Sequence, residues 1–296
     1  MSYRFLLSLL LLTAVSAPFA KDELNNATNS ATSNATKEDG VKVGKSSALR
    51  NLVPAETLEK QASQQYLQLT QKAASQKALA PENYPQLQRL RTIASRIIPY
   101  ATRFNPRAKD WKWEINLIGS NQINAFCMPG GKIAFYTGIL TQLKLTDDEV
   151  AMVMGHEIAH ALREHARAQA GKNAVTRLGA VGLSVATGGK YDGLVNTGAN
   201  LLSLNYSRSD ETDADLVGLD IASRAGYDPR AGISLWKKMS ASSKGAPPQW
   251  LSTHPSGPSR IKEIEKHLPE VMPLYQRAQK PEPWKAPPAS GKASQP

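Results

Sequence analysis

The residues Val150-Ala-Met-Val-Met-Gly-His-Glu-Ile-Ala-His-Ala-Leu162 combine helical spacing with three ionisable side chains. Apolar residues surround this predicted helix on almost every side, which indicates that it is buried. His156 and His160 are four residues apart, so their imidazoles share one face and could bind a single tetrahedral zinc ion. Glu157 is placed to act as a general base on water at such a metal. Buried ionisable groups require partners, and a metal ion would supply them.

The residues before this stretch give the start of the helix. Thr146-Asp-Asp-Glu149 is a capping box, with a Thr hydroxyl at the N-cap and Glu three residues later. The pattern predicts a helix that continues to about Gln169. On such a continuous helix His165 lies about 140° from His160 and off the ligand face.

A catalytic zinc site needs a third protein ligand and an open position. Glu211 and Asp215 are spaced i, i+4 on another predicted helix. Glu211 could bind the metal, and Asp215 could orient a ligand His through a hydrogen bond to its outer nitrogen. The alternative is a solvated acidic helix start, which the helix dipole would favour.

The rest of the chain predicts an α+β, mainly helical domain. Amphipathic helices are expected over 55–76 and 85–103. Alternating or extended stretches at 111–118, 123–126 and 132–136 indicate three strands, which we expect to form a small antiparallel sheet.

Four motifs in this order resemble one family of zinc metalloendopeptidases, which groups the CAAX prenyl protease I type with HtpX and the bacterial envelope proteases LoiP and BepA. The motifs extend over most of the core: Asn124-Ala-Phe126 before Pro129-Gly-Gly, His156-Glu-Ile-Ala-His160, Glu211-x-x-x-Asp215, and Thr253-His-Pro-Ser-Gly-Pro-Ser-Arg260. The stand-alone, LoiP-like form is the nearer resemblance, and it implies a zincin-like fold with an active-site helix.

The resemblance also implies the site residues. His156, His160 and Glu211 would bind one Zn²⁺ per chain, with Glu157 as the base and Asp215 behind the ligands.

The family likeness further implies how a peptide would bind, by strand addition to an edge of the sheet. That edge would be the strand containing Asn124, Ala125 and Phe126, or its neighbour at 133–136.

Two residues near the end have open roles. His254 would occupy the fourth metal position as a latch, or stabilise an oxyanion, or only cap the helix that begins near Pro258. Arg260 would support the same loop or bind substrate carbonyl oxygens; the alternative is a structural ion pair.

The amino-terminal residues predict export, and both ends of the chain are expected to be disordered. Residues 1–20 have the layout of a secretory signal peptide, with Arg4, a short apolar run and small residues up to Ala20; an uncleaved helix is the alternative. Residues 21–47 are predicted to be a disordered leader and 276–296 a disordered Pro-rich tail. The protease domain is then expected over 48–275.

Composition restricts the class of protein. Among 296 residues there is 1 Cys, so no internal disulfide can form, and Cys127 is neither a lipid-attachment site near the signal nor an evident nucleophile. A net charge of +11 favours an anionic neighbour such as a membrane surface. No nucleic acid partner is expected.

The signal-like start and the family resemblance together predict a periplasmic zinc endopeptidase that hydrolyses misfolded or stalled envelope proteins and associates peripherally with the outer membrane. Two alternatives remain open. One is a chaperone or scaffold for outer-membrane protein assembly whose zinc is latched or structural. The other is a basic envelope-binding module.

Overall fold

The structure, a computed structural model, describes residues 39–187, 200–242, 248–254 and 258–285, without the side chains of 179–187, 203 and 258. The predicted signal peptide, most of the predicted leader and residues 286–296 lie outside the described residues.

Helices form most of the described chain, as expected for the predicted α+β class. They are α1 Ala55–Ser75, α2 Pro85–Ile97, α3 Thr137–Gln142, α4 Asp147–Leu162, α5 His165–Thr187, α6 Arg208–Arg224, α7 Ala231–Ala241, α8 Gln249–Thr253 and α9 Pro258–Arg277. The strands are β1 Glu114–Ile118, β2 Ala125–Met128 and β3 Lys132–Tyr136. No helix among the described residues is long and apolar enough to cross a membrane.

The sheet is mixed, which corrects the predicted antiparallel arrangement. Its order is β1-β3-β2, with β1 parallel to β3 and β2 antiparallel to β3. The β2–β3 hairpin turns at Gly130 and Gly131, whose φ angles of 82° and 77° favour glycine. β1 pairs with β3 because the chain crosses the end of the sheet after Ile118, instead of turning back beside β1.

Helix α4 is the centre of the core. Every residue from Glu149 to Leu162 is buried, which confirms the burial predicted from its apolar surroundings. The predicted capping box is also present, since the Thr146 hydroxyl accepts from the Glu149 N–H and the Glu149 carboxylate accepts from the Thr146 N–H.

Two glycines allow α4 and α6 to approach closely. A Cβ at Gly155 would lie 2.8 Å from the Gly218 carbonyl oxygen, and a Cβ at Gly218 would lie 2.7 Å from the His156 backbone nitrogen. The backbones therefore touch directly beside His156. This contact brings the acidic N-terminal half of α6 over the His face of α4.

Helix α4 ends earlier than predicted. It stops at Leu162, Glu164 adopts a left-handed φ of 59°, and α5 begins at His165. The predicted continuation to Gln169 is therefore wrong, because the chain changes direction at Glu164 without a Gly or Pro to signal it.

Both ends of the domain extend further than predicted. Val41 lies within the predicted leader, yet it is buried, and its N–H donates to the fully buried Asp220 over 3.0 Å. At the other end the Trp284 N–H donates to Asp147 over 3.0 Å. Residues 41–47 and 278–285 thus pack on the domain instead of separating from it.

Candidate active site

The two histidines of helix α4 direct their Nε2 atoms toward each other. The Nε2 atoms of His156 and His160 lie 3.1 Å apart, and both side chains are buried. The i, i+4 spacing predicted this shared face.

Glu211 on α6 and His254, the residue that follows α8, add two further donors. Glu211 Oε2 lies 3.6 Å from His156 Nε2, and Glu211 Oε1 lies 3.5 Å from His160 Nε2. His254 Nδ1 lies 3.2 Å from His156 Nε2 and 3.0 Å from Glu211 Oε1. The acidic-surface alternative for Glu211 does not fit this position, because the side chain is only 1% exposed.

The four donors fit a zinc ion. Their ligand atoms all lie within 4.8 Å of one another, and among the described residues they are the one cluster of His, Cys, Asp or Glu with such spacing. Three imidazoles and a carboxylate are a donor set that zinc prefers. When bound, zinc would polarise a carbonyl and lower the pKa of a coordinated water.

Asp215 and Arg260 support the ligands from behind. Asp215 Oδ1 accepts from His156 Nδ1 over 3.0 Å, the orienting contact predicted for it. Arg260 donates to both oxygens of Asp215 over 2.6 and 2.7 Å and to Glu211 Oε2 over 2.5 Å. Its guanidinium also lies 3.7 Å from the Trp236 ring centre. These contacts favour the ion-pair alternative for Arg260 and leave the predicted catalytic role without support.

The charges of the cluster match metal binding. Burial alone would raise the pKa of Asp215, but the charge of Arg260 and the hydrogen bond from His156 hold it at about 2. Burial alone would also raise the pKa of Glu211, but the hydrogen bond from His254 and nearby positive charge outweigh that effect and lower the pKa. Burial lowers the pKa of His160 well below its usual range, which keeps the ring neutral.

Glu157 is held by an aromatic side chain. The Trp250 indole Nε1 donates to Glu157 Oε1 over 2.6 Å, and His254 Nε2 lies 3.5 Å from the same oxygen. Burial lowers the pKa of His254, but the charges of Glu157 and Glu211 outweigh that effect and raise it. The His254 ring nitrogens therefore face two site carboxylates, and the alternative of a helix cap at α9 does not describe these contacts.

The sequence comparisons agree with this geometry. A profile described as Peptidase family M48 matches residues 86–268, more than half of the chain. The chain belongs to peptidase family M48. The resemblance predicted from the four motifs is thereby confirmed, and with it the expected zinc.

Relatives in the family come from both mitochondria and bacteria. The chain is 40% identical over 171 residues to the mitochondrial metalloendopeptidase OMA1 of Schizosaccharomyces pombe, covering 55% of this chain and 48% of that protein. It is 37% identical over 173 residues to the Arabidopsis thaliana OMA1, covering 56% and 34%. It is 26% identical over 207 residues to the metalloprotease LoiP of Escherichia coli, covering 68% and 78%. The alignments thus span less than half the length of these two OMA1 proteins.

Within this M48 domain the two predicted substrate strands occupy different positions. β3 is the middle strand, so the stretch 133–136 does not form an edge. β2, with Ala125 and Phe126, is an edge of the described sheet and follows directly after Asn124. The remaining candidate for strand addition is therefore the stretch 124–126.

Three residues near the metal ligands were not predicted from the sequence. Trp250 lies one helical turn before His254, a spacing that could have signalled a shared face. The Tyr206 ring stacks on His160 at 3.9 Å, and nothing in its sequence context indicates this. His165 Nδ1 lies 3.0 Å from His160 Nδ1, a contact that the sequence did not predict, although His165 does lie off the ligand face as expected. The bend at Glu164 brings the two rings together.

Proposed function

We propose that this chain is an exported, zinc-dependent endopeptidase that hydrolyses misfolded or stalled proteins of the bacterial cell envelope. The observation that carries the proposal is the position of Glu157. Its carboxylate lies beside a buried three-histidine, one-glutamate cluster, where a purely structural zinc site would have no use for it.

The side chains divide the chemistry among them. Glu157 takes a proton from the attacking water and passes it to the leaving amine as the peptide bond breaks. The Trp250 N–H fixes the direction of the carboxylate. Asp215 and Arg260 keep His156 and Glu211 in place, so their catalytic effect is indirect.

A substrate backbone would extend the sheet at β2. Strand addition reads main-chain groups instead of particular side chains, which suits unfolded proteins of varied sequence. Helix α8 lies across this path, because the Trp250 backbone N–H donates to the Ile123 carbonyl, just before β2, over 3.1 Å. In this proposal a substrate that pairs along 124–126 displaces α8, and the arrangement with α8 bound at Ile123 is the closed state.

The amino terminus supports export. Mitochondrial transit peptides are amphipathic and rich in Arg, whereas the run 5–15 has no charged residue and follows a single Arg. The net charge of +11 would favour contact with an anionic envelope surface. In a Gram-negative host we expect the chain, carrying a C-terminal tag, in the periplasmic fraction with a new amino terminus near residue 21.

Cleavage of an unfolded protein tests the activity. Purified mature protein with zinc should cut casein, removal of zinc by a chelator should stop cleavage, and added zinc should restore it. The closed set of four protein donors favours one competing function, a zinc-bearing chaperone or scaffold. That alternative gains support if neither the wild type nor an opened variant cuts casein while both hold zinc.

The opened variant is His254→Ala. It removes the contacts with Glu211 and Glu157 that stabilise α8 in its closed position. Because the open state then becomes more populated, we expect casein cleavage to rise on the order of tenfold. His267→Ala, on the outer part of α9, is the matched control and should not change the rate. A fall in cleavage with zinc retained would instead assign His254 to oxyanion stabilisation.

A further inference from the structure

The bend at Glu164 places a second histidine behind the metal ligand His160. His165 is the first residue of α5 and is buried, at 6% exposure. Its Nδ1 lies 3.0 Å from the Nδ1 of His160, on the side of that ring opposite to the ligand cluster.

Metal binding determines where the protons of these two rings sit. His160 Nε2 faces the ligand cluster and must be free of a proton to bind zinc. The ring proton of His160 is then on Nδ1, which donates to His165 Nδ1. His165 in turn carries its proton on Nε2.

The next partner in this chain is a carboxylate. His165 Nε2 lies 3.2 Å from Asp213 Oδ2, which also accepts from Arg163 Nε over 2.6 Å. The sequence of contacts therefore leads from the metal ligand through the His165 imidazole to a carboxylate that also accepts from an arginine. On the other ligand histidine, Asp215 makes the corresponding contact directly.

We propose that His165 and Asp213 are positioning residues that orient His160 for zinc. Tyr206 stacks on the His160 ring and restrains its plane, but it offers no acceptor for the ring proton in this arrangement. His165 supplies that acceptor. Without it, a buried N–H on the metal ligand would lack its partner, which weakens the binding geometry.

Zinc affinity measured by competition with a chromogenic chelator tests the proposal. Full mature protein carrying His165→Leu or Asp213→Ala should bind zinc about 10–100-fold more weakly than wild type. His165→Gln should recover most of the affinity, because its amide offers an acceptor and a donor. His267→Leu is the matched control, since His267 bonds to Glu270 on α9 away from the metal ligands.

Cobalt-loaded protein gives a second readout. The visible absorption of bound Co²⁺ reports ligand geometry, and we expect it to change in His165→Leu and to recover in His165→Gln. The proposal is overturned if Asp213→Ala and His165→Leu bind zinc within twofold of wild type while only thermal stability falls. If His165→Leu does not fold, Asp213→Ala and His165→Gln decide the matter. Because zinc is measured directly, failure of this inference is distinct from a failure to cleave casein.

Discussion

Glu157→Gln should lower casein cleavage on the order of a thousandfold and leave one zinc bound per chain. The amide has nearly the shape of the carboxylate, and its oxygen still accepts the Trp250 indole N–H, so the closed packing of α8 is kept. It has no basic oxygen to take a proton from water. The rate is measured on equal amounts of zinc-loaded protein, with metal content determined on the same samples.

Glu149→Gln is the matched control for that substitution. Glu149 is also a buried glutamate of α4, but it lies about two helical turns before His156, where it belongs to the capping box and pairs with Lys238 over 2.6 Å. We expect it to lower stability and to leave the cleavage rate near that of wild type. If Glu157→Gln loses its zinc or cleaves at the wild-type rate, the assignment of Glu157 as base is wrong.

Three of the four donors were predictable because His156, His160 and Glu211 lie on regular helices, whereas His254 follows the end of α8. His156 and His160 share a face whatever the surroundings of α4, and the capping box at Thr146 determines where that helix begins. Glu211 and Asp215 have the same regular spacing on α6. How α6 approaches α4 is less visible in the sequence, since it depends on contact between two separate glycines, Gly155 and Gly218.

The residues that the sequence did not reveal depend on irregular backbone or on distant packing. His165 faces His160 because Glu164 adopts a positive φ, which is uncommon for a residue with a side chain. Trp250 reaches Glu157 because α8 docks near β2. Likewise β1 pairs with β3 because of the path of the loop between β1 and β2, whereas alternation within a strand does not show its direction. Local patterns therefore indicated the two histidine ligands and, together with the family resemblance, Glu211 and Asp215, but they did not indicate the contacts of His165 and Trp250.

Arg260→Met should destabilise the protein by about 3–5 kcal/mol, the cost expected when a buried ion pair loses one partner. Arg260 is the cation that contacts both Glu211 and Asp215, and all three side chains are buried. The matched control is Arg230→Met, because Arg230 pairs with Asp228 at a largely exposed site and should contribute 1 kcal/mol or less. Urea unfolding of the metal-free proteins at pH 7 measures both differences.

The dependence on pH distinguishes this charge effect from a simple loss of packing. In the wild type the pKa of Asp215 is about 2, below its unfolded value of 3.8, so its contribution is present above pH 4 and is lost as pH falls toward 2. In Arg260→Met the same carboxyl is buried without its cation, which raises its pKa. Acid then protonates the carboxyl at a higher pH than in the wild type, and the cost of burying an unpaired charge disappears. The difference in the free energy of unfolding between wild type and Arg260→Met should therefore decrease by about 2 kcal/mol from pH 7 to pH 3. If this difference in the free energy of unfolding stays constant over the range, Arg260 acts through its stacking on Trp236 instead of through its charge.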